Sequence, residues 1–117
     1  LIYMYHLGLI GVLVLLCAYL YYKNHVIKVY RFYRPGCPYC VRSQRDWEMF
    51  KSKCCWMINC IDINLDTIHR HPVHAAIVEN FEVNSVPTII AVMPNGIRIK
   101  YDGSRDVDDL LEWSEYL

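Results

Sequence analysis

The chain has 117 residues, 55 % of them hydrophobic, and its twelve basic and twelve acidic side chains cancel to a formal net charge of zero. That length holds one domain of ordinary size and excludes a multidomain enzyme or a long repeat array. Balanced charge offers no positive field for a phosphate backbone, so nucleic acid is not an expected partner. The apolar share exceeds the roughly 45–50 % of a soluble domain, and the excess lies at one end.

Leu1 to Tyr22 contain no Lys, Arg, Asp or Glu, and His6 is their one strongly polar side chain. A helix over this stretch rises about 33 Å, which matches a hydrocarbon core of about 30 Å. Residues 1–22 are therefore expected to form a transmembrane helix, and 23–117 a separate folded domain. A buried core helix or a cleaved signal peptide is the alternative. A signal peptide's apolar region is shorter, about 7–15 residues, and ends at small residues. Here the run continues through Cys17-Ala18 into Tyr19-Leu20-Tyr21-Tyr22, which resembles an interfacial aromatic belt. Lys23, Lys28, Arg31 and Arg34 follow with no acidic residue before Asp46, so the positive-inside rule puts the folded part on the cytoplasmic side. The chain begins with Leu, which points to a lost upstream segment whose charge could reverse that orientation to lumenal or exoplasmic.

Val26 to Tyr33 is rich in β-branched and aromatic residues and ends at Arg34-Pro35-Gly36, as a strand followed by a breaker does. Pro38 to about Lys53 is a helix by pattern, with Val41, Trp47 and Phe50 on one side and Arg42, Arg45, Glu48 and Lys51 on the wet side. Trp56 to Asn64 is a second strand, apolar enough to be covered on both faces. Asp66 to His71 is a loop, and Pro72 starts a helix running to about Phe81. Thr88 to Met93 and Ile97 to Tyr101 are strands joined through Pro94-Asn95-Gly96, a hairpin signal. Asp106 caps a last helix that turns Leu110, Leu111 and Trp113 inward. The predicted class is α/β, in the order β-α-β-α-β-β-α after one membrane helix.

The chemistry is concentrated in Cys37-Pro38-Tyr39-Cys40, where a strand gives way to a helix. Residues three apart on a helix share a face, so the two sulfurs can come within disulfide reach with little backbone movement. Cys37 at the helix N-terminus faces unpaired N–H groups and the positive end of the helix dipole, which favour thiolate. It is the expected attacker, and Cys40, one turn deeper, the resolving thiol. Pro38 fixes φ in the first turn. Arg34, Arg42 and Arg45 are positioned to add screened support for the anion.

These residues resemble the thioredoxin superfamily. The resemblance is carried by Tyr30-Arg31-Phe32-Tyr33 leading into Arg34-Pro35-Gly36-Cys37-Pro38-Tyr39-Cys40, by the strand around Asp62, by Ser85-Val86-Pro87-Thr88 before a hairpin, and by Tyr101-Asp102-Gly103-Ser104-Arg105 before the last helix. It implies a thioredoxin-like fold and thiol-disulfide exchange on protein substrates, with an upstream reductase or thiol oxidase as a further partner. It also implies a cis Pro87 beside the dithiol, with Val86 and Pro87 as the edge on which an extended substrate docks and Pro38 and Tyr39 beside it. No cofactor is implied beyond a redox-active Cys37–Cys40 disulfide, with glutathione as a possible co-substrate. The Cys-Pro-Tyr-Cys tetrapeptide is similar to glutaredoxin, whereas the Ser-Val-Pro-Thr and Tyr-Asp-Gly-Ser-Arg segments are closer to thioredoxin and protein disulfide isomerase modules. Glutaredoxins bind glutathione partly through a Gly-Gly pair and an acidic residue, where this chain has Gly103, Ser104 and Arg105. Thioredoxins carry a buried aspartate on the first strand, where this chain has Arg31, so that proton relay is missing. A glutathione-dependent glutaredoxin and an anchored binding module without turnover are the competing readings, and the direction of exchange stays open.

No metal site is expected. Half a zinc site at Cys37 and Cys40 needs a second Cys pair of similar spacing, which Cys54-Cys55 with Cys60 does not supply. His69, His71 and His74 fall at a loop and helix start, where exposed histidines are ordinary. Cys54, Cys55 and Cys60 read as small buried or incidental thiols, and Trp47, Trp56 and Trp113 as packing.

Overall fold

The computed structural model describes residues Leu1–Leu117. Nine elements follow one another: helix α1 (Ile2–His25), strand β1 (Ile27–Tyr33), helix α2 (Pro38–Lys53), strand β2 (Ile58–Asn64), a short 3-10 turn (Ile68–Arg70), helix α3 (Pro72–Asn80), strands β3 (Thr88–Val92) and β4 (Arg98–Lys100), and helix α4 (Val107–Glu115). Apart from the 3-10 turn inside the expected loop, their order is the one the sequence pattern predicts.

Helix α1 buries none of its residues, and it is long and apolar enough to cross a membrane. Length and composition fit a signal sequence equally. It runs three residues beyond the expected end at Tyr22, through Lys23 to His25, whose ring nitrogen bonds the Tyr21 carbonyl at 2.8 Å.

The sheet has the strand order β2-β1-β3-β4. β1 and β2 are parallel, with Val29 opposite Cys60 and Arg31 opposite Asp62, while β1–β3 and β3–β4 are antiparallel. A parallel pair needs a crossover, and α2 supplies it. Side chains alternate across β1: Val29 joins Trp47, Phe50, Ile89, Tyr101, Val107 and Leu110 on one face, and Tyr30 and Phe32 join Ile63, Phe81 and Ile90 on the other. The central strand β1 is thus covered on both faces, and its four residues Val29 to Phe32 are all buried, the charged Arg31 among them.

Three expectations are corrected. β2 is an edge strand, and only Ile63 of its seven residues is fully buried, because no further strand covers its outer side. Val41 points to solvent, and α2 buries Cys40, Ser43, Trp47 and Phe50 instead. The core stripe starts from Cys40 rather than from the most apolar residue of the first turn. Trp56 is 72 % exposed and stacks on Tyr22 at the end of α1, with ring centroids 6.2 Å apart, rather than packing in the core. The hairpin forms as expected, and Gly96 takes the positive φ of 87° that its turn requires. Asp106 caps α4 by accepting from the Asp108 N–H at 3.1 Å.

Candidate functional site

The β1–α2 junction holds the dithiol. Cys37 is the N-cap of α2, with extended backbone angles, and Pro38 occupies the first turn, where its missing N–H costs no hydrogen bond. Cys37 is half-buried and Cys40, one turn along, is 2 % exposed. The N–H of Cys40, assisted by the Cys40 thiol, the N–H of Tyr39 and the charge of Arg42, pulls the Cys37 thiol below its ordinary pKa, against the opposing cost of desolvation. Burial pushes the Cys40 thiol up, only partly countered by the Arg34 N–H and by the charge of Arg31. The outer sulfur is thus biased toward thiolate and the inner one toward a retained proton.

Val86 and Pro87 lie across from the dithiol. Their peptide bond is cis, and the Cys37 sulfur sits 4.0 Å from the Val86 carbonyl oxygen. Arg105, in the loop before α4, donates to the Pro87 carbonyl at 2.8 Å and to the Gly103 carbonyl at 3.1 Å, tying the two loops together. Between these loops and α2 opens a groove of about 610 Å³, lined by Tyr39, Arg42, Val86, Pro87 and Arg105 among others. Tyr39 is 66 % exposed on its rim, with the Arg42 guanidinium 4.8 Å from the ring centroid. Pro38 is exposed at the same tip. All six sequence-selected residues therefore meet at one end of the sheet.

Of the three arginines named as support for the anion, Arg42 alone contributes its charge to Cys37. Arg34 is turned to Asp66 in an exposed pair at 2.6 Å, and Arg45 stays on the wet face of α2. The residue that pattern reading passed over is Arg31. Strand alternation places it on the Val29 side of β1, facing α2, where it is 1 % exposed and donates to Gln44 Oε1 at 2.8 Å, the Cys40 carbonyl at 3.0 Å and Ser43 Oγ at 3.1 Å. The available signal was parity: a charge two positions after a buried valine in a central strand must itself be buried. His69 and His71 are exposed, and the His71 and His74 rings lie 5.3 Å apart at the start of α3, remote from the dithiol in the chain.

Comparison with known proteins decides the family. The profile described as TraF, F plasmid transfer operon protein, matches residues 25–100, from the end of α1 through β4. The chain belongs to the TraF family. Its domain also aligns with solved thioredoxin-like structures. The J-Trx1 fragment of ERdj5 has a TM-score of 0.60 at 18 % identity, over 81 % of this chain and 44 % of the fragment. The first thioredoxin domain of mouse protein disulfide-isomerase A4 has a TM-score of 0.60 at 22 % identity, over 77 % of this chain and 61 % of that one. Thioredoxin-2 of the malaria parasite, a component of its protein secretion machinery, has a TM-score of 0.65 at 19 % identity, over 80 % of this chain and 84 % of that one. The chain spans less than half the length of the ERdj5 fragment. No curated protein sequence matches it. The fold is thioredoxin-like, as the sequence motifs implied.

Proposed function

We propose that this TraF family member is a thiol-disulfide oxidoreductase that acts on protein substrates through Cys37 and Cys40. The observation that carries the reading is the Cys37 sulfur at the tip of α2, 4.0 Å from the carbonyl of Val86, a residue that with Pro87 lines the adjoining groove. A substrate strand laid along Val86 pairs its backbone there and presents its own sulfur to Cys37. In the reducing direction the Cys37 thiolate attacks a substrate disulfide, expels one substrate thiolate and leaves a mixed disulfide. Cys40 then loses its proton, attacks the Cys37 sulfur and releases the second substrate thiolate, so that two protein thiols are oxidised and one substrate disulfide is reduced. In the oxidising direction the same steps run backward. Each exchange step needs no group beyond the sulfurs of protein and substrate, and in this reading α1 is the membrane anchor, which its length and apolar composition support.

Replacing Cys40 by Ser removes the resolving thiol and should trap substrates on Cys37 as adducts that reductant releases. Partners retained without any covalent adduct would instead identify a binding module. Turnover of a small glutathione mixed disulfide that needs Cys37 but not Cys40 would identify the glutaredoxin alternative.

A further inference from the structure

At the far end of α2, about 20 Å of helix away from Cys40, two other sulfurs meet. Cys54, the first residue after α2, and Cys60, in the middle of β2, place their Sγ atoms 4.0 Å apart. Both are partly buried and pack against the core cluster that holds Trp47 and Phe50. Cys54 has extended backbone angles and leans its thiol on the Lys51 carbonyl at 3.7 Å. Closing the gap to a bond of about 2.05 Å takes side-chain rotation and a small backbone shift, and the non-helical backbone at Cys54 lies where such a shift is least resisted. β2 is the edge strand, so this end of the sheet is not covered by another strand. Cys55, the next residue, is exposed.

We propose that Cys54 and Cys60 form a second redox pair, a disulfide that staples the end of α2 to β2 independently of the Cys37–Cys40 dithiol. The oxidant is a low-molecular-weight disulfide such as oxidised glutathione. The Cys54 thiolate attacks one of its sulfurs, a small thiolate leaves, and Cys54 carries a mixed disulfide. Cys60 then gives up its proton to solvent and attacks the Cys54 sulfur, and a second small thiolate leaves. Two protein thiols lose two electrons, and the small disulfide is reduced to two thiols. Burial pushes the Cys60 thiol strongly up, which assigns the first attack to Cys54 and makes closure the slower step. The distance along α2 keeps this pair out of direct exchange with Cys37, so its consequence is mechanical: it ties the α2–β2 connection shut.

The test uses the full chain in detergent, equilibrated with oxidised glutathione, alkylated and digested with trypsin. Residues 54–70 then form one peptide that holds Cys54, Cys55 and Cys60. The expected peptide carries one alkyl group, on Cys55, and has lost the two thiol hydrogens. In a Cys37→Ser/Cys40→Ser background the same treatment should raise the melting temperature, and Cys60→Ala should abolish that rise. Cys60→Ala alone should leave exchange through Cys37 and Cys40 unchanged. Alkylation of all three cysteines under conditions that fully oxidise Cys37 and Cys40, or a bridge made through Cys55, overturns the proposal.

Discussion

The Arg31 guanidinium donates to the Cys40 carbonyl at 3.0 Å from a position 1 % exposed to solvent. Its three acceptors, on Gln44, Cys40 and Ser43, are all uncharged, and none of the ion pairs in the protein includes it. Asp62, opposite it on β2, is occupied by the Trp47 indole N–H and by Lys51 at 2.8 Å. A buried cation with no direct ion pair, supported by the charges of Asp62 and Glu48 only from a distance, gains from any further anion placed beside it. In the proposed exchange, the thiolate that Cys40 forms to resolve a mixed disulfide is such an anion, and the Arg31 charge favours it.

Arg31→Met should therefore slow resolution while sparing the first attack. A loss of about 1.4 kcal/mol in thiolate stabilisation corresponds to roughly tenfold. Stopped-flow release of a labelled peptide from its mixed disulfide with Cys37 would show the slowing, and Arg31→Lys should restore part of the rate. Because an apolar side chain of similar volume often replaces a buried charge without cost, the melting temperature should hold or rise. A fall in stability with unchanged resolution would mark Arg31 as purely structural.

The reactivity of Cys37 should titrate at lower pH than that of a free thiol, because helix N–H groups favour its anion. In the Cys40→Ser variant, alkylation by iodoacetamide should reach half its maximal rate below about pH 8.5. Linkage gives the sign for stability. Between the folded Cys37 pKa and the ordinary thiol value, the unfolded chain binds more protons than the native one. The stabilising contribution of Cys37 to the reduced protein is therefore present above the unfolded pKa and is lost as pH falls through the folded one. Urea denaturation of the reduced protein with and without Cys37→Ser reads that contribution out.

Gly103 has room for no side chain. A Cβ there would lie 2.5 Å from Tyr101 Oη and 2.7 Å from Cζ, and the Tyr101 ring is buried and hydrogen-bonded to the Ser104 carbonyl. Overpacking of this kind costs about 1–3 kcal/mol. Thermal denaturation of Gly103→Ala should show a drop of about 4–8 °C for each kcal/mol lost, and Tyr101→Phe should not relieve it, because the ring atoms clash as well as the hydroxyl.

Arg105 bridges the Pro87 and Gly103 carbonyls through a charged donor. Arg105→Ala should cost about 1.5–3 kcal/mol of stability, the range for hydrogen bonds to charged groups. It should also loosen the Val86–Pro87 edge, so KM for a peptide disulfide should rise several-fold while the rate with a small aromatic disulfide changes little. Equal losses on both substrates would place the effect at the sulfurs instead.

Much of this protein was legible in the chain alone. Local rules suffice for the apolar stretch that forms α1, for the strand-breaker-helix step that places Cys37 and Cys40 on one helical turn, for the Asn95-Gly96 hairpin and for the Asp106 cap, because each depends on neighbours within a few residues. Tertiary structure decided the rest. Which side of β2 is covered depends on strand order, which no property of residues 58–64 encodes, and the exposure of Val41 and Trp56 depends on which face of each element meets the sheet. The approach of Val86 to Cys37 joins residues 49 apart in sequence and was implied by family resemblance rather than by any local rule, and the meeting of Cys54 with Cys60 depends on where β2 is placed against the end of α2. Such proximities arise from packing whole elements on a common core, so spacing and periodicity along the chain carry no trace of them.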